Sequence, residues 1–192
     1  MLARPIYRAR SSWWKLRLKL DAALAGGRIE LAPTVRLRTR VVFRGRGTLR
    51  IGEHATLGDR DAGLPGAPIY FNARNRTSFI NIGAGSRLAN GIELIALQRI
   101  EIGERTLAGA GVRILDSDFH GVSPAERHAE GSPVPVRIGG DVLLGLAAIV
   151  LKGVSIGDGA MIGAGSVVVR DVRAGAVVSG NPARLLAVYA EA

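Results

Sequence analysis

The fold class that the sequence predicts is all-β, a parallel β-helix, because aliphatic residues recur at every sixth position without a slip. They are Ile138, Leu144, Val150, Ile156, Ile162 and Val168. Small or β-branched residues follow four positions after each, at Val142, Ala148, Val154, Ala160, Ser166 and Val172. A helix repeats about every 3.6 residues and a strand about every 2, so a period of six indicates a short strand and a tight corner. Three such units close one triangular coil, and stacked coils bury a continuous core.

Length and composition fit one domain that is stabilised by stacking. The chain has 192 residues, of which 47% are hydrophobic, enough for one well-buried core. It contains no Cys, which excludes disulfides, thiolate zinc sites and a cysteine nucleophile. It shows no apolar run of about 18 residues and no pattern typical of an export signal, so we expect a cytoplasmic protein.

The net charge of +10 arises entirely in the N-terminal part of the chain. Residues 1–60 hold 14 Lys and Arg against 4 Asp and Glu, whereas residues 61–192 hold 12 of each. An excess of this kind suits a surface that meets anionic lipid headgroups or an anionic carbohydrate.

Residues 1–27 lack the six-residue period and predict a short basic helix that Gly26 and Gly27 end. Both tryptophans of the chain, Trp13 and Trp14, fall within it. Two interpretations remain open. The helix caps the open end of the β-helix with its Trp face, since repeat arrays need their terminal cores covered, or it docks on an anionic membrane.

The β pattern begins at Ile29 and is irregular in its first coils. Arginines alternate there with apolar residues, as outward-facing strand residues do, at Arg36, Arg38, Arg40, Arg44, Arg46 and Arg50. Such a face could follow a phosphate backbone, but few aromatic residues interleave and no nucleic-acid motif occurs. We therefore expect no nucleic-acid partner.

The repeat is interrupted twice. Between Gly58 and Ser78 the period is lost, and a Pro/Gly segment at residues 61–68 predicts a loop. Residues 115–135 form a second, larger interruption between the in-phase Ile114 and Ile138. A solenoid tolerates insertions at its corners, and insertions on one face commonly carry function.

Near the C-terminus the chain also contains specific motifs: Gly-Asp-Val-Leu-Leu-Gly at 140–145, Ile-Gly-Ala-Gly-Ser-Val-Val at 162–168 and Gly-Asn-Pro-Ala-Arg at 180–184. With them, residues 82–186 resemble the hexapeptide-repeat acyltransferases, which include sugar O-acetyltransferases of the galactoside, maltose and capsule type. The resemblance implies a left-handed β-helix over residues 28–186, with an extended catalytic loop at 115–135. Residues 187–192 are then a tail.

Acyl transfer requires a base for the acceptor proton and a donor for the developing oxyanion. His120 lies at the start of the long loop, where the resembling enzymes carry their catalytic His. Asp118 could fix the imidazole tautomer, with Asp116, also a candidate acceptor contact, as the alternative. The other interpretation is a solvated His beside turn-forming Asp residues.

The remaining histidines offer weaker sites. Three His could suggest the metal site of β-helix carbonic anhydrases, but their spacing does not resemble that ligand set, so we expect no metal. His128 is expected in the loop near the substrate entrance, and His54 on an exposed position of an early coil.

The resemblance further implies acetyl-CoA in a groove between neighbouring β-helices of a homotrimer. The backbone amide of Leu146, at the Gly145 corner, aligns with the family's oxyanion donor. Many relatives have a small polar residue at position 146, but a Leu there still offers its backbone N–H as the donor. Four other residues match positions that contact pantetheine or the nucleotide phosphates: Ala164, Gly165, Arg170 and Arg184.

Asn90 resembles the position from which sugar acetyltransferases bind their acceptor, although Asn is also a common corner residue. The predicted function is acetyl-CoA-dependent O-acetylation of a sugar hydroxyl, on a surface polysaccharide or its precursor, by direct transfer. The alternatives are N-acetylation of an amino sugar, or a catalytically silent scaffold or membrane-docking module.

Overall fold

A computed structural model describes residues 4–189, with side chains from residue 11 onward. In this part of the chain one α-helix, α1 (Arg4–Ala25), precedes twenty short strands, and a 3₁₀-helical turn covers Pro124–Glu126. The predicted all-β class with an N-terminal helix is confirmed. Residues 1–3 of the predicted helix and 190–192 of the predicted tail lie outside the described residues.

Three strands and three corners make one coil of the β-helix. The first three coils contain β1 (Arg28–Leu31), β2 (Arg36–Leu37), β3 (Val41–Gly45), β4 (Thr48–Ile51), β5 (Thr56–Leu57), β6 (Ile69–Ala73), β7 (Phe79–Ile82), β8 (Arg87–Leu88) and β9 (Glu93–Ala96). The later coils contain β10 (Arg99–Ile102), β11 (Leu107–Ala108), β12 (Arg113–Leu115), β13 (Val136–Ile138), β14 (Leu143–Leu144), β15 (Ile149–Val150), β16 (Ser155–Ile156), β17 (Met161–Ile162), β18 (Val167–Val168), β19 (Ala176–Gly180) and β20 (Ala183–Val188).

The strands form three sheets that make the faces of a prism. Sheet A contains β1, β4, β7, β10, β13 and β16; sheet B contains β2, β5, β8, β11, β14, β17, β19 and β20; sheet C contains β3, β6, β9, β12, β15 and β18. Neighbouring strands pair in parallel, apart from β20, which pairs antiparallel to β19. The chain passes from sheet A to B to C and back to A. Its corners therefore stack into three edges, named here A–B, B–C and C–A.

The core consists of aliphatic columns that run along the prism. In sheet A the paired residues form one column, Ile51, Ile82, Ile102, Ile138 and Ile156. All six aliphatic residues of the six-residue series and all six small residues that follow them are buried. The period therefore identified the inward-facing positions correctly.

Between Gly58 and Ser78 the structure contains the predicted loop and also a strand that the sequence did not predict. Only residues 58–68 form a loop, because β6 follows at once and pairs with β3 and β9. Its residues Ile69, Phe71 and Ala73 are fully buried. The inserted loop interrupts the six-residue spacing, so the sequence pattern gave no signal for β6.

Helix α1 caps the N-terminal end of the prism. Leu18 and Ala22 are buried in the same core as Phe43, and Trp14 packs against that core. The helix ends where expected: Gly26 adopts a φ of 74°, and the N–H of Gly27 donates to the carbonyl of Ala22 at 2.9 Å. Capping, one of the two interpretations of the sequence, is therefore what the structure shows.

The opposite face of α1 is uncovered in the described structure. Its apolar residues are exposed and spaced as one helical stripe: Trp13, Leu16, Leu20 and Leu24, the last of them 88% exposed. Arg17 and Lys19 are also exposed. The helix thus has an inner face that caps the core and an outer face that nothing in residues 11–189 covers.

The C-terminal end differs slightly from the prediction. Strand β20 continues to Val188, so the predicted tail from residue 187 begins inside a strand. Within the described residues, no helix combines the length and the apolar character needed to cross a membrane.

Leu18→Ala is expected to lower the free energy of unfolding by about 2–5 kcal/mol, because it leaves a cavity between α1 and the first coil. Leu20→Ala makes the same chemical change two positions later, on a side chain that is 54% exposed. This control should change stability by no more than about 0.5 kcal/mol. Urea unfolding midpoints compare the two variants, and equal losses would contradict the capping role.

Candidate active site

The long loop, residues 116–135, leaves the β-helix at the C–A edge and begins with a buried carboxylate. Asp116 accepts hydrogen bonds from the backbone N–H of Leu97 at 2.8 Å and from those of Gln98 and Arg99 at 2.7 Å. Burial raises the pKa of Asp116, and these three bonds oppose that rise. Asp116 therefore fastens the loop to the preceding coil. Asp116 does not contact His120, and it is fully buried, so an acceptor cannot reach it. Both expected roles, support of His120 and contact with the acceptor, are therefore wrong.

The loop then folds back on itself and presents His120. Phe119 adopts a φ of 62°, and the guanidinium of Arg74 lies 4.6 Å from the centre of its ring. His120 Nδ1 lies 3.2 Å from the backbone oxygen of Arg127, just after the 3₁₀ turn. A carbonyl oxygen can only accept, so Nδ1 carries the proton in this contact, and in the neutral ring Nε2 keeps its lone pair.

The partner of His120 is thus a backbone carbonyl and not the carboxylate that the sequence analysis expected. Asp118 instead forms an ion pair with Lys152, which comes from the C–A corner of the next coil. Lys152 also donates to the carbonyl of Ser132 at 3.3 Å. Asp118 and Lys152 together hold both arms of the loop against the prism, which explains why a loop of this length is folded.

The B–C edge carries the predicted oxyanion donor. Leu146 is exposed, and its carbonyl accepts from the N–H of Gly165 at 2.8 Å. Within residues 4–189, its own N–H makes no hydrogen bond. Gly109 permits the close stacking of this corner, since a Cβ there would lie 2.7 Å from the nitrogen of Leu146. An exposed, unbonded amide at this corner fits the predicted donor role.

The residues expected around CoA lie on two different edges. Ala164 and Gly165 are exposed at the B–C edge, one coil beyond Leu146, and open space surrounds the Cβ position of Gly165. Arg184 lies in β20 opposite Ser179, close to the same edge. Gly145 is a packing residue, because a Cβ there would collide with the backbone of Ala164.

Arg170, in contrast, follows β18 and lies at the C–A edge with His120. Strand β15 with its corners separates Leu146 from Lys152, an extended distance on the order of 15–20 Å. The contacts of the long loop, with Arg74 and Lys152, are all on the C–A side. One chain therefore does not bring His120 and Leu146 together.

Asn90 has a structural contact that the sequence did not predict. It is 2% exposed, and its side-chain amide donates to the carbonyl of Asp59 at 2.6 Å and accepts from the N–H of Asp59 at 3.2 Å. The amide thus anchors the loop at 58–68, and Asn90 lines a small cavity of about 440 Å³ beside that loop.

The path of the loop at 58–68 is a feature that the sequence did not predict. It runs along the B–C edge, where Leu64 lies over the corners at Gly91 and Gly111. A Cβ on Gly63 would lie 3.6 Å from the side chain of Leu146. Its Pro/Gly composition marked it as a loop, but nothing in the sequence indicated that it folds back towards Leu146.

Comparison with known proteins relates this chain to acyl-transferring β-helices. Residues 135–170 match the family model described as the hexapeptide repeat of succinyl-transferase. Serine acetyltransferase 2 of Arabidopsis thaliana is 40% identical over 112 residues, which are 58% of this chain and 33% of that protein. The chain thus spans about a third of the length of this curated relative.

Two solved structures share the fold at low sequence identity. One is a hexapeptide-repeat acetyltransferase from Vibrio cholerae complexed with acetyl coenzyme A, with a TM-score of 0.60, 22% identity and coverage of 99% of this chain and 92% of that one. The other is AntD, an N-acyltransferase from Bacillus cereus in complex with dTDP and coenzyme A, with a TM-score of 0.66, 16% identity and coverage of 84% and 85%. They confirm the architecture over most of the chain.

Proposed function

This chain carries the repeat and the left-handed β-helix of the hexapeptide-repeat acyltransferases, and on that premise we propose that it transfers an acetyl group from acetyl-CoA to a sugar hydroxyl. Two observations carry the proposal: His120 presents Nε2 at the C–A edge, and the exposed amide of Leu146 is unbonded at the B–C edge. The expected acceptor is a surface polysaccharide or its precursor. We place the reaction in the cytoplasm, at or near the membrane.

Each of the two residues has one chemical task. His120 Nε2 takes the proton of the acceptor hydroxyl as its oxygen attacks the carbonyl carbon, which acetyl-CoA supplies as a thioester. The Leu146 N–H donates to the oxyanion that develops on the carbonyl oxygen. When the carbon–sulfur bond breaks, the His120 imidazolium returns the proton to the departing sulfur. Ala164, Gly165, Arg170 and Arg184 fit CoA, because they offer open backbone and two cations for its phosphates.

The proposed site needs two copies of the chain. His120 and Arg170 lie on the C–A edge, whereas Leu146, Gly165 and Arg184 lie on the B–C edge of the same prism. A B–C edge facing the C–A edge of a neighbour brings both sets together, and a cyclic trimer closes this arrangement three times. We therefore propose a homotrimer with its sites between protomers.

N-acetylation of an amino sugar is the alternative, and the same His would serve it. AntD is described as an N-acyltransferase, and the matched plant protein as a serine acetyltransferase, so the shared fold does not separate the two acceptors. A spectrophotometric thiol assay with acetyl-CoA and a panel of sugars and amino sugars separates them. A silent scaffold would show no turnover with any acceptor.

His120→Ala is expected to lower kcat by a factor on the order of 10²–10⁴, because the acceptor then lacks its base. The side chain is exposed, so the unfolding midpoint should stay close to that of the unmodified chain. His128→Ala, a change in the same loop, should lose far less. Near-normal turnover of the His120→Ala variant would overturn the assignment.

Two inactive variants should complement each other if protomers share sites. His120→Ala removes the base from one edge, and Ala164→Trp blocks the exposed CoA surface on the other. Every mixed trimer contains one interface with both edges intact, so random co-assembly should restore about a quarter of the unmodified activity. If co-expressed chains recover no activity, then the site lies within one chain.

We also propose that the outer face of α1 docks on an anionic membrane. Trp13, Leu16, Leu20 and Leu24 form an exposed apolar stripe, and exposed basic residues accompany it. An apolar stripe with adjacent cations is typical of helices that lie in the plane of a lipid interface. The inner face remains occupied by the core, so the helix can do both.

A double variant, Leu20→Ser with Leu24→Ser, is expected to lose more than about tenfold in affinity for phosphatidylglycerol vesicles, because each exposed Leu contributes apolar area on insertion. Co-sedimentation measures the effect. Rising salt should weaken binding of the unmodified chain, and phosphatidylcholine vesicles should bind less. The matched control replaces the exposed Leu185 and Leu186 by Ser. Equal binding of both double variants would contradict docking through α1.

A further inference from the structure

A groove runs between α1 and the first coils, outside the acetyl-transfer site described above. Its larger part has a volume of about 1050 Å³ and is bounded by α1, β2 and the loop at 58–68. The adjoining cavity of about 440 Å³ continues it to Asn90, and Trp14, Arg38 and Arg60 line both parts. A volume near 1,000 Å³ lies at the upper end of cavities that hold drug-sized ligands.

The groove is strongly cationic. Among its lining residues five carry a positive charge, Lys15, Arg36, Arg38, Arg40 and Arg60, against two acids, Asp59 and Asp61. Arg36, Arg38 and Arg40 alternate with buried residues along β2 and the B–C corner that follows it, so all three point outward there. Within the described residues, their side chains make no ion pair or hydrogen bond.

Several other arginines of the β-helix have carboxylate partners. Arg50, Arg99, Arg105 and Arg113 each pair with a carboxylate on their own face. Three neighbouring arginines without such partners repel one another, and an anion in the groove would offset that repulsion. Their guanidinium groups suit phosphate oxygens in particular, since two parallel N–H donors match two oxygens.

The side chains from the helix complete the groove. Lys15 is partly buried and donates to the carbonyl of Pro33 at 3.0 Å. Burial, together with the neighbouring Lys19, lowers the pKa of Lys15. Trp14 contributes an aromatic surface and Ser11 and Ser12 contribute hydroxyls to the same lining.

The groove also has a defined position relative to the chemistry. Along the B–C edge the order of corners is 38–40, 58–68, 89–92, 109–112, 145–148 and 163–166. The proposed CoA surface at Gly165 lies on the C-terminal side of Leu146, and the groove lies on its N-terminal side. A ligand held at Arg38 and Arg40 therefore lies on the side of Leu146 opposite the proposed CoA surface, with the loop at 58–68 between the ligand and Leu146.

We propose that this groove binds the diphosphate of an activated sugar, so that the acceptor of the acetyl group is a diphosphate-linked sugar and not a free one. The inference rests on the proposed function and names its substrate class. The groove is bounded at one end by the loop at 58–68 and by Asn90, which favours a compact anion over an extended polyanionic chain. The diphosphate can be carried by a nucleoside or by a lipid, and the cations recognise what the two share.

Binding to the full chain in a Trp13→Phe background tests the proposal, because Trp14 then reports alone by its fluorescence. The probes are inorganic pyrophosphate, UDP-N-acetylglucosamine and farnesyl diphosphate. All three should bind, and Arg38→Gln should raise each Kd by about tenfold through loss of a charged hydrogen bond. Tighter binding of the UDP-sugar than of the farnesyl compound identifies the nucleotide source, and the reverse order identifies the lipid source.

Arg28→Gln is the matched control. Arg28 is an exposed arginine in the first coil, on sheet A and away from the groove, and its variant removes the same charge. Equal Kd values for the Arg38 and Arg28 variants would overturn the proposal, as would no binding of any diphosphate by the unmodified chain. Acetyl-CoA is absent from the assay. Diphosphate binding without acetyl transfer would therefore count against the proposed function alone, and acetyl transfer without diphosphate binding would count against the groove alone.

Discussion

The spacing of one coil on the next, about 4.8 Å in the hydrogen-bonding direction, is the constraint on which the rest of the structure depends. It forces inward side chains into columns, such as the isoleucines of sheet A, and it leaves no room at the A–B corners. A Cβ on Gly83 would collide with Gly103, and one on Gly103 with Gly139. Inserted loops leave the prism only at its corners, and the two loops of this chain lie on different edges.

The six-residue period predicted the fold because burial and spacing are local properties of a repeat. The same period predicts nothing about the segments in which the chain leaves the coil. It missed β6 behind the loop at 58–68. Closeness in sequence suggested Asp118 or Asp116 as the partner of His120, but Asp116 accepts from the amides of Leu97, Gln98 and Arg99, and Asp118 pairs with Lys152. Those partners come from other coils, and which corners a loop meets depends on its path in space, not on residue spacing.

Helix α1 shows a related limit. Trp13 and Trp14 are neighbours in sequence, but adjacent residues of a helix point about 100° apart, so one packs on the core and the other faces outward. Composition alone offered capping and docking as alternatives. The helix has two apolar faces, so capping by Leu18 and Ala22 leaves Leu20 and Leu24 exposed for the proposed docking. Helical spacing tells which residues of α1 are exposed only once the residues that face the core are known.

The proposed CoA surface, the oxyanion donor and the cationic groove follow one another along the B–C edge. The proposed CoA surface is at the C-terminal coils, the amide of Leu146 is next, and the cationic groove lies beyond the loop at 58–68. Helix α1 forms one wall of that groove through Trp14 and Lys15. A membrane at the outer face of α1 would therefore lie at the acceptor end of the prism and not at the CoA end. A sugar held by its diphosphate could then be delivered from the membrane side, while CoA enters from the opposite end.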